Sequence, residues 1–379
     1  MILACLLLIA FSIPISTVAV NVGFAFLGLY FAFSGNYQKK WRLLARHPIV
    51  LTTTFLFILL GVGTLYSAAN IHDAANVWWK YRKLLYPILL IPFLQNRQWR
   101  RWVLGIFIAA MMLTLSVSFI DSNLVFKNHI AQNFLMAFTA YLLLQIAFHI
   151  KNNPLWQSLA ALSALLAICN ILFFVEGRTG YVVLTALLIL TAWQYFHWKG
   201  IALGLVSAML LLTFAFATSN KFHQRVLHTV NEIQTYKTSN AITSAGLRLE
   251  FYKKTIQIIQ KNPLLGQGTG SLAKSYAALV TDKTGASSIK THNPHNEYLM
   301  LTAQIGIIGL GIFLYLLFQL WKYSYQLPLF ERHIAQGVIV AFVVGCTLNS
   351  MLLDFTEGHW FIFFIALLYA QTVRYHHHP

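Results

Sequence analysis

Gly246-Leu247-Arg248, Asn262-Pro263-Leu264-Leu265-Gly266-Gln267-Gly268-Thr269-Gly270 and Thr291-His292-Asn293-Pro294-His295-Asn296 punctuate the one long polar stretch of the chain, which then runs straight into an apolar helix at Glu297. Before Ser219 and after Glu297 nearly everything is apolar. With 58% hydrophobic and only 10% charged residues, the composition excludes a disordered chain and argues against a soluble globular one. Chemistry on water-soluble groups is therefore expected in or beside the polar stretch.

Working outward, twelve apolar segments are long enough, or nearly so, to cross about 30 Å of hydrocarbon at about 1.5 Å per residue. They cover 1–15, 18–34, 49–66, 80–95, 102–120, 132–150, 155–175, 179–197, 201–218, 297–320, 334–352 and 359–373. The expected fold class is an all-α polytopic membrane protein with about twelve transmembrane helices. It divides into helices one to nine over 1–218, a loop with short helices over 219–296, and helices ten to twelve with a tail over 297–379, integrated as one domain. The first apolar run has no basic flank or small-residue cleavage site, so it reads as a retained helix and not a signal peptide.

Lysine and arginine fix the expected orientation. Lys39, Lys40, Arg42, Arg46, Arg97, Arg100, Arg101, Lys151, Lys199, Lys322, Arg332 and Arg374 fall in the loops after even-numbered helices and in the tail. That places these loops and both termini in the cytoplasm and the 219–296 loop outside. The formal charge of +17 is then a topology signal, and no nucleic-acid partner is expected. Cys5, Cys169 and Cys346 fall inside apolar spans and read as packing residues. Within the loop, Val226, Leu227, Val230, Ile233 and Tyr236, and then Leu247, Phe251, Ile256 and Ile259, recur at helical spacing. A third short helix is expected over 271–280.

Two constellations stand out. Lys80, Arg82, Lys83, Arg178 and Arg248 are cations predicted on the outer side, and an intramembrane charge costs roughly 2.5–3.5 kcal/mol on insertion scales, so such residues face a partner, a pore or a ligand. Snorkelling from a helix end explains the 80–83 trio equally simply. An anion such as a lipid diphosphate, whose oxygens suit guanidinium forks, is the sharper reading. Arg178 has Glu176 beside it as an alternative ion-pair partner. In His292-Asn293-Pro294-His295-Asn296-Glu297 the proline breaks the helix that would align the histidines, and no ligand set completes a metal site, so no metal is expected. His295 sits at a helix N-terminus, where it is either a capping residue or a neutral imidazole able to take a proton from a sugar hydroxyl or to donate a hydrogen bond to a leaving phosphate. Glu176, His292, Asn296 and Glu297 are held in reserve. The glycine-rich 266–270 segment lacks the lysine of a phosphate loop and reads as a tight turn, and Gly306, Gly309 and Gly311 read as close helix packing.

These motifs resemble the O-antigen ligase family of bacterial membrane glycosyltransferases, in the superfamily that also holds the O-antigen polymerases. The family signature, His then a small polar residue, nine residues, Gly, two residues and Gly, reads here as His295-Asn296, then Glu297 to Ile305, Gly306, Ile307-Ile308, Gly309. The family's loop arginine and Pro-Leu-x-Gly-x-Gly turn fall on Arg248 and Pro263 to Gly268, and a second arginine on Arg178. The tryptophan often found just after the loop arginine is replaced by the Phe251-Tyr252 neighbourhood.

The resemblance implies a GT-C-like helical enzyme of the bacterial inner membrane, with a large periplasmic loop between helices nine and ten. It implies transfer of a glycan from undecaprenyl diphosphate to the lipid A core, with inversion, no cofactor and no metal. In that reading His295, Arg248 and Arg178 are catalytic, and Lys80, Arg82 and Lys83 hold the diphosphate or lipid headgroups. A repeat-unit polymerase and a protein O-oligosaccharyltransferase share the same features. A transporter of lipid-linked sugars would not need the arginine and histidine motifs together.

Overall fold

A computed structural model describes residues 1–122 and 124–371. The end of the last expected span, Arg374 and the terminal histidine run lie outside the described residues. The chain is an all-α polytopic membrane protein. In order its helices are α1 (Ile2–Ser12), α2 (Thr17–Phe33), α3 (Tyr37–Leu44), α4 (Pro48–Leu65), α5 (Ile71–Lys80), α6 (Tyr86–Leu90), α7 (Arg97–Ile120), α8 (His129–His149), α9 (Pro154–Cys169), α10 (Arg178–Thr218), α11 (Asn220–Ser239), α12 (Ser244–Lys261), α13 (Leu272–Ala277), α14 (Glu297–Ser324), α15 (Leu329–Cys346) and α16 (Phe355–Tyr369).

Among the described residues, seven helices are long and apolar enough to cross a membrane by length and composition, or eight if α2 and α3, bent by 119°, form one broken span. Helix α10 is two helices in one. His197 takes φ 52° and ψ −137°, and the chain doubles back there: a Cβ on Gly204 would lie 2.9 Å from Ile189 Cα. This reversal separates the segments expected at 179–197 and 201–218. The segment expected at 80–95 is instead a 3₁₀ turn over Tyr81–Leu85 followed by the short α6 and further turns.

Helix α16 is the central post. Every residue from Thr356 to Ala370 is buried, which matches a helix apolar on all sides. Phe107, Phe138 and Phe364 meet one another edge to face, and Phe134 and Phe138 meet Trp360 in the same way, at centroid distances of 4.8–6.5 Å, and Phe361 stacks on Phe342 at 3.6 Å. Aromatic pairs of this kind add to the area they bury. Helix α8, buried over most of its length, packs beside it.

Helix α14 breaks where the signature glycine stands. Ile305 and Gly306 leave helical geometry, Gly306 with φ 66°, and the freed carbonyls of Ala303 and Gln304 accept from Gln267 and Gly268 N–H at 2.8 and 2.9 Å. Thr269 N–H donates to Gly63 O of α4 at 2.9 Å, so the glycine turn straps α4 to α14. A Cβ on Gly306 would fall 2.0 Å from Leu264 O, which only glycine avoids. The close approach expected at Gly306 is thus to the backbone of the loop, not to another helix.

Candidate functional site

The starts of α8, α10, α14 and α16 and the end of α15 gather at one end of the bundle, so several positive helix termini point toward the same place. Two cavities open there. The first, about 580 Å³, is lined by Arg178, Arg225, Arg248, Lys221, His129 and Glu176. The second, about 560 Å³, is lined by His295, Asn349, Asp354, Glu357, Lys127 and Asn128. Ile130 lines both. Arg248 Nη2 also donates to Asn349 Oδ1 at 3.4 Å, and Asn349 Nδ2 to Thr179 Oγ1 at 3.0 Å. Asn349 therefore joins the arginine side to the histidine side.

Local geometry places His295. Its φ is 54°, a left-handed conformation that side chains with a Cβ resist by roughly 1–2 kcal/mol. Surrounding bonds hold it there. His295 N–H donates to Asn293 Oδ1 at 2.8 Å, which also receives Ser350 Oγ at 2.7 Å. The Tyr252 hydroxyl donates to His295 O at 3.1 Å, and Phe251 stacks on the imidazole with centroids 6.3 Å apart. Strain of this kind gathers at functional sites. Burial first, then the charges of Arg248 and His292, push the imidazole down to about 4. It is neutral at pH 7.

Arg248 projects from α12, whose start Thr243 caps by accepting from Gly246 N–H. Burial and the nearby Arg178 and Arg225 lower its pKa, opposed by Tyr252 and Glu232; three guanidinium groups sharing one cavity create a demand for an anion. Arg178 pairs not with Glu176 but with the buried Glu232 of α11, at 2.9 Å though not aligned for a hydrogen bond. Glu176 lies 4.0 Å from Arg225 instead.

The remaining candidates are spread out. Lys80, exposed, shares a third cavity of about 640 Å³ with His292, Asp73 and Lys274. Arg82 donates to Trp79 O at 3.1 Å and Asn21 Oδ1 at 3.3 Å. Lys83 is only 2% exposed; its amine donates to Leu353 O at 3.3 Å and Asp354 O at 2.6 Å. Asn296 caps α14 through Leu299 N–H and donates to Thr347 O at 3.1 Å. Glu297 is buried, with Oε2 accepting from Leu352 and Leu353 N–H at 2.7 and 3.2 Å. Lys83 and Glu297 thus hold the turn that presents Asp354 to the second cavity. Lys83→Met, which takes the donor from the buried carbonyls of Leu353 and Asp354, is accordingly expected to destabilise the protein by roughly 1–3 kcal/mol, read as a lower melting temperature, and not to weaken ligand binding selectively. An unchanged melting temperature with raised KM would show that Lys83 touches the ligand.

Arg225, Lys221, Asn349 and Asp354 line these cavities and carried no motif. A carboxylate or cation inside an apolar run is a visible anomaly, as at Glu357, but Arg225 sits on an ordinary amphipathic helix and Asn349 in a turn.

A third feature adjoins the site. An apolar groove of about 580 Å³ runs between α10 and α11, lined by Tyr181, Val182, Ile189, Leu212, Phe222, Val226 and Val230, with Arg178 and Arg225 at its rim.

Comparison with known proteins falls on this region. The O-antigen ligase family model matches residues 162–314, which carry Arg178, Arg225, Arg248 and His295. The O-antigen ligase of Escherichia coli (strain K12) is 24% identical over 151 residues, covering 39% of this chain and 34% of that protein. Over residues 162–314 the chain is therefore a match to the O-antigen ligase family, as its histidine–glycine signature and loop arginine lead one to expect.

Proposed function

We propose that the protein is an O-antigen ligase acting at the periplasmic face of the bacterial inner membrane, with the 219–296 loop, which lies between the ninth and tenth of about twelve spans when the broken 80–95 segment is counted as the fourth, over its site. The donor is a glycan on undecaprenyl diphosphate and the acceptor a hydroxyl of the lipid A core. One observation carries the reading: Arg178 and Arg225 stand both in the basic cavity and at the rim of the apolar groove. A polyprenyl diphosphate needs that adjacency, with an apolar track for the tail and guanidinium forks for the diphosphate.

In this reading the acceptor oxygen attacks the anomeric carbon from the His295 side and its proton passes to the imidazole. The bond from that carbon to the diphosphate oxygen breaks on the opposite face, which inverts the centre. The leaving diphosphate takes the electron pair, and Arg248, Arg225 and Arg178 stabilise the charge as it forms. Asp354, its carboxyl pushed up by burial against the pull of Lys83, Lys80 and Arg248, lines the acceptor side and orients hydroxyls.

A strain lacking the protein is expected to lose the whole capped lipopolysaccharide ladder on a gel, leaving free lipid A core and accumulated lipid-linked glycan. Complementation with wild type restores the ladder. A single repeat unit still attached to core would mean a polymerase, and an unchanged ladder would remove lipopolysaccharide from the reading.

A further inference from the structure

We propose that the opposite end of the bundle carries a second lipid site, a pocket for the phosphate of an anionic phospholipid with its acyl chains on an apolar floor. The pocket has a volume of about 270 Å³ and is walled by Arg97, Arg100 and Arg101 of α7, His149 at the end of α8, and Phe330 and Glu331 at the start of α15. Its floor is Leu104, Ile334, Leu367 and Leu368. Helix α16 reaches both ends, giving Phe355 to the His295 cavity and Leu367 to this one. Those residues are twelve positions apart on one helix, or about 18 Å, so this pocket is separate from the glycan site and does not rest on its chemistry.

Three observations point to an anion. The first turn of α7 holds Arg97, Arg100 and, one residue on, Arg101, with no acidic residue; cations at a helix N-terminus oppose the macrodipole, and an anion relieves that. Arg100 is already engaged, donating to Leu94 O at 3.0 Å and to Gln371 Oε1 at 3.2 Å, so it shapes the wall. Among the described residues Arg97 pairs with Glu331 at 3.7 Å, the two side chains 59% and 23% exposed, a contact of little strength, and Arg101 is exposed. Against the single carboxylate of Glu331 the pocket is net positive.

A general excess of basic residues on a cytoplasmic face does not account for this convergence on a walled cavity. The floor then selects the source of the phosphate. A free ion has no use for Leu104, Ile334, Leu367 and Leu368, whereas an acyl chain does. Trp102, 48% exposed one turn along α7, marks the headgroup depth at which tryptophan concentrates. Basic pockets between spans on the cytoplasmic side bind phospholipid headgroups for these reasons.

The test uses the full-length protein in detergent, with phosphatidylglycerol or phosphatidylcholine added, read by native mass spectrometry and by melting temperature. Phosphatidylglycerol is expected to remain bound and raise the melting temperature by several degrees, and phosphatidylcholine to do neither. Arg97→Gln with Arg101→Gln is expected to weaken phosphatidylglycerol at least tenfold. Leu104→Trp, which fills the floor and keeps the charges, is expected to do the same. Lys39→Gln with Arg42→Gln removes equal charge from exposed positions on α3, at the same end of the bundle, where His47 contacts Tyr369 O at 3.0 Å; it is expected to leave binding intact. The proposal is overturned if this control loses as much as the pocket variants, if the pocket variants keep the lipid, if phosphatidylcholine binds equally, or if inorganic phosphate alone gives the same protection.

Discussion

Arg248→Ala is expected to abolish glycan transfer while the protein still accumulates in the membrane. Among the described residues, Arg248 is the one cation that both lines the basic cavity and bonds to Asn349 in the wall of the His295 cavity. In the proposed reaction the leaving diphosphate would gather negative charge at that junction, and removing one preorganised group aimed at developing charge costs roughly 10²–10³ in rate. Arg248→Lys is expected to recover little, because an ammonium cannot make the forked contact. Arg178→Ala is expected to be milder: Glu232 at 2.9 Å already balances part of its charge. The measurement is transfer in purified membranes across donor concentrations, with protein level followed by immunoblot. Arg248→Ala retaining most of the rate, or Arg178→Ala proving the more severe, would refute this ordering of the two arginines.

The apolar runs made the bundle legible because a chain in hydrocarbon must satisfy its backbone internally, and helices do so locally. The strong periodicity of 226–236 and 247–259 likewise announced α11 and α12. Turns and breaks were harder. The interruption between 197 and 201 was placed by hydropathy, but the kink at Gly306 depends on which carbonyls find distant donors, here Gln267 and Gly268 for Ala303 and Gln304. The short 80–95 segment read as a span on hydropathy alone, yet Pro87 and the buried Lys83 turn it into a wall.

The site divides along the same line. As candidates, His295 was visible through a motif with fixed spacing and Arg248 and Arg178 through the family resemblance, whereas the partner of a charge is a tertiary fact. Neighbouring Glu176 was the natural partner for Arg178, but Glu232 occupies that place from 54 positions away. Lys83 looked like one member of a cationic trio until its carbonyl acceptors were found at Leu353 and Asp354. Counting charges near a membrane surface could not separate a ligand-facing cation from one that braces a turn.

His295→Ala is expected to lower turnover roughly 10²- to 10⁴-fold, the range of a lost general base, and His295→Asn to do the same with the fold better preserved. Asparagine tolerates the left-handed backbone that His295 adopts at φ 54°, so the pair of variants separates loss of the imidazole from loss of the loop geometry. The pH dependence adds a second reading. In the free enzyme the imidazole is pushed down to about 4 by burial, Arg248 and His292, and it works as a base only above its pKa. The acid limb of kcat/KM, which reports the free enzyme, is therefore expected well below the ordinary histidine value. A bound diphosphate offsets the charge of Arg248 and favours the imidazolium, so the acid limb of kcat, which reports the complex, is expected at higher pH. That direction matters for catalysis, since a ring held near 4 accepts a proton poorly and the donor's own charge makes it a better base once bound. Asp354 and Glu357 line the same cavity and also titrate. Loss of the kcat limb in His295→Asn, with Asp354→Asn retaining it, assigns the limb to the imidazole. An acid limb that survives His295→Asn, or a variant that keeps most of its turnover, would move the proton to Asp354 and leave His295 as a capping residue.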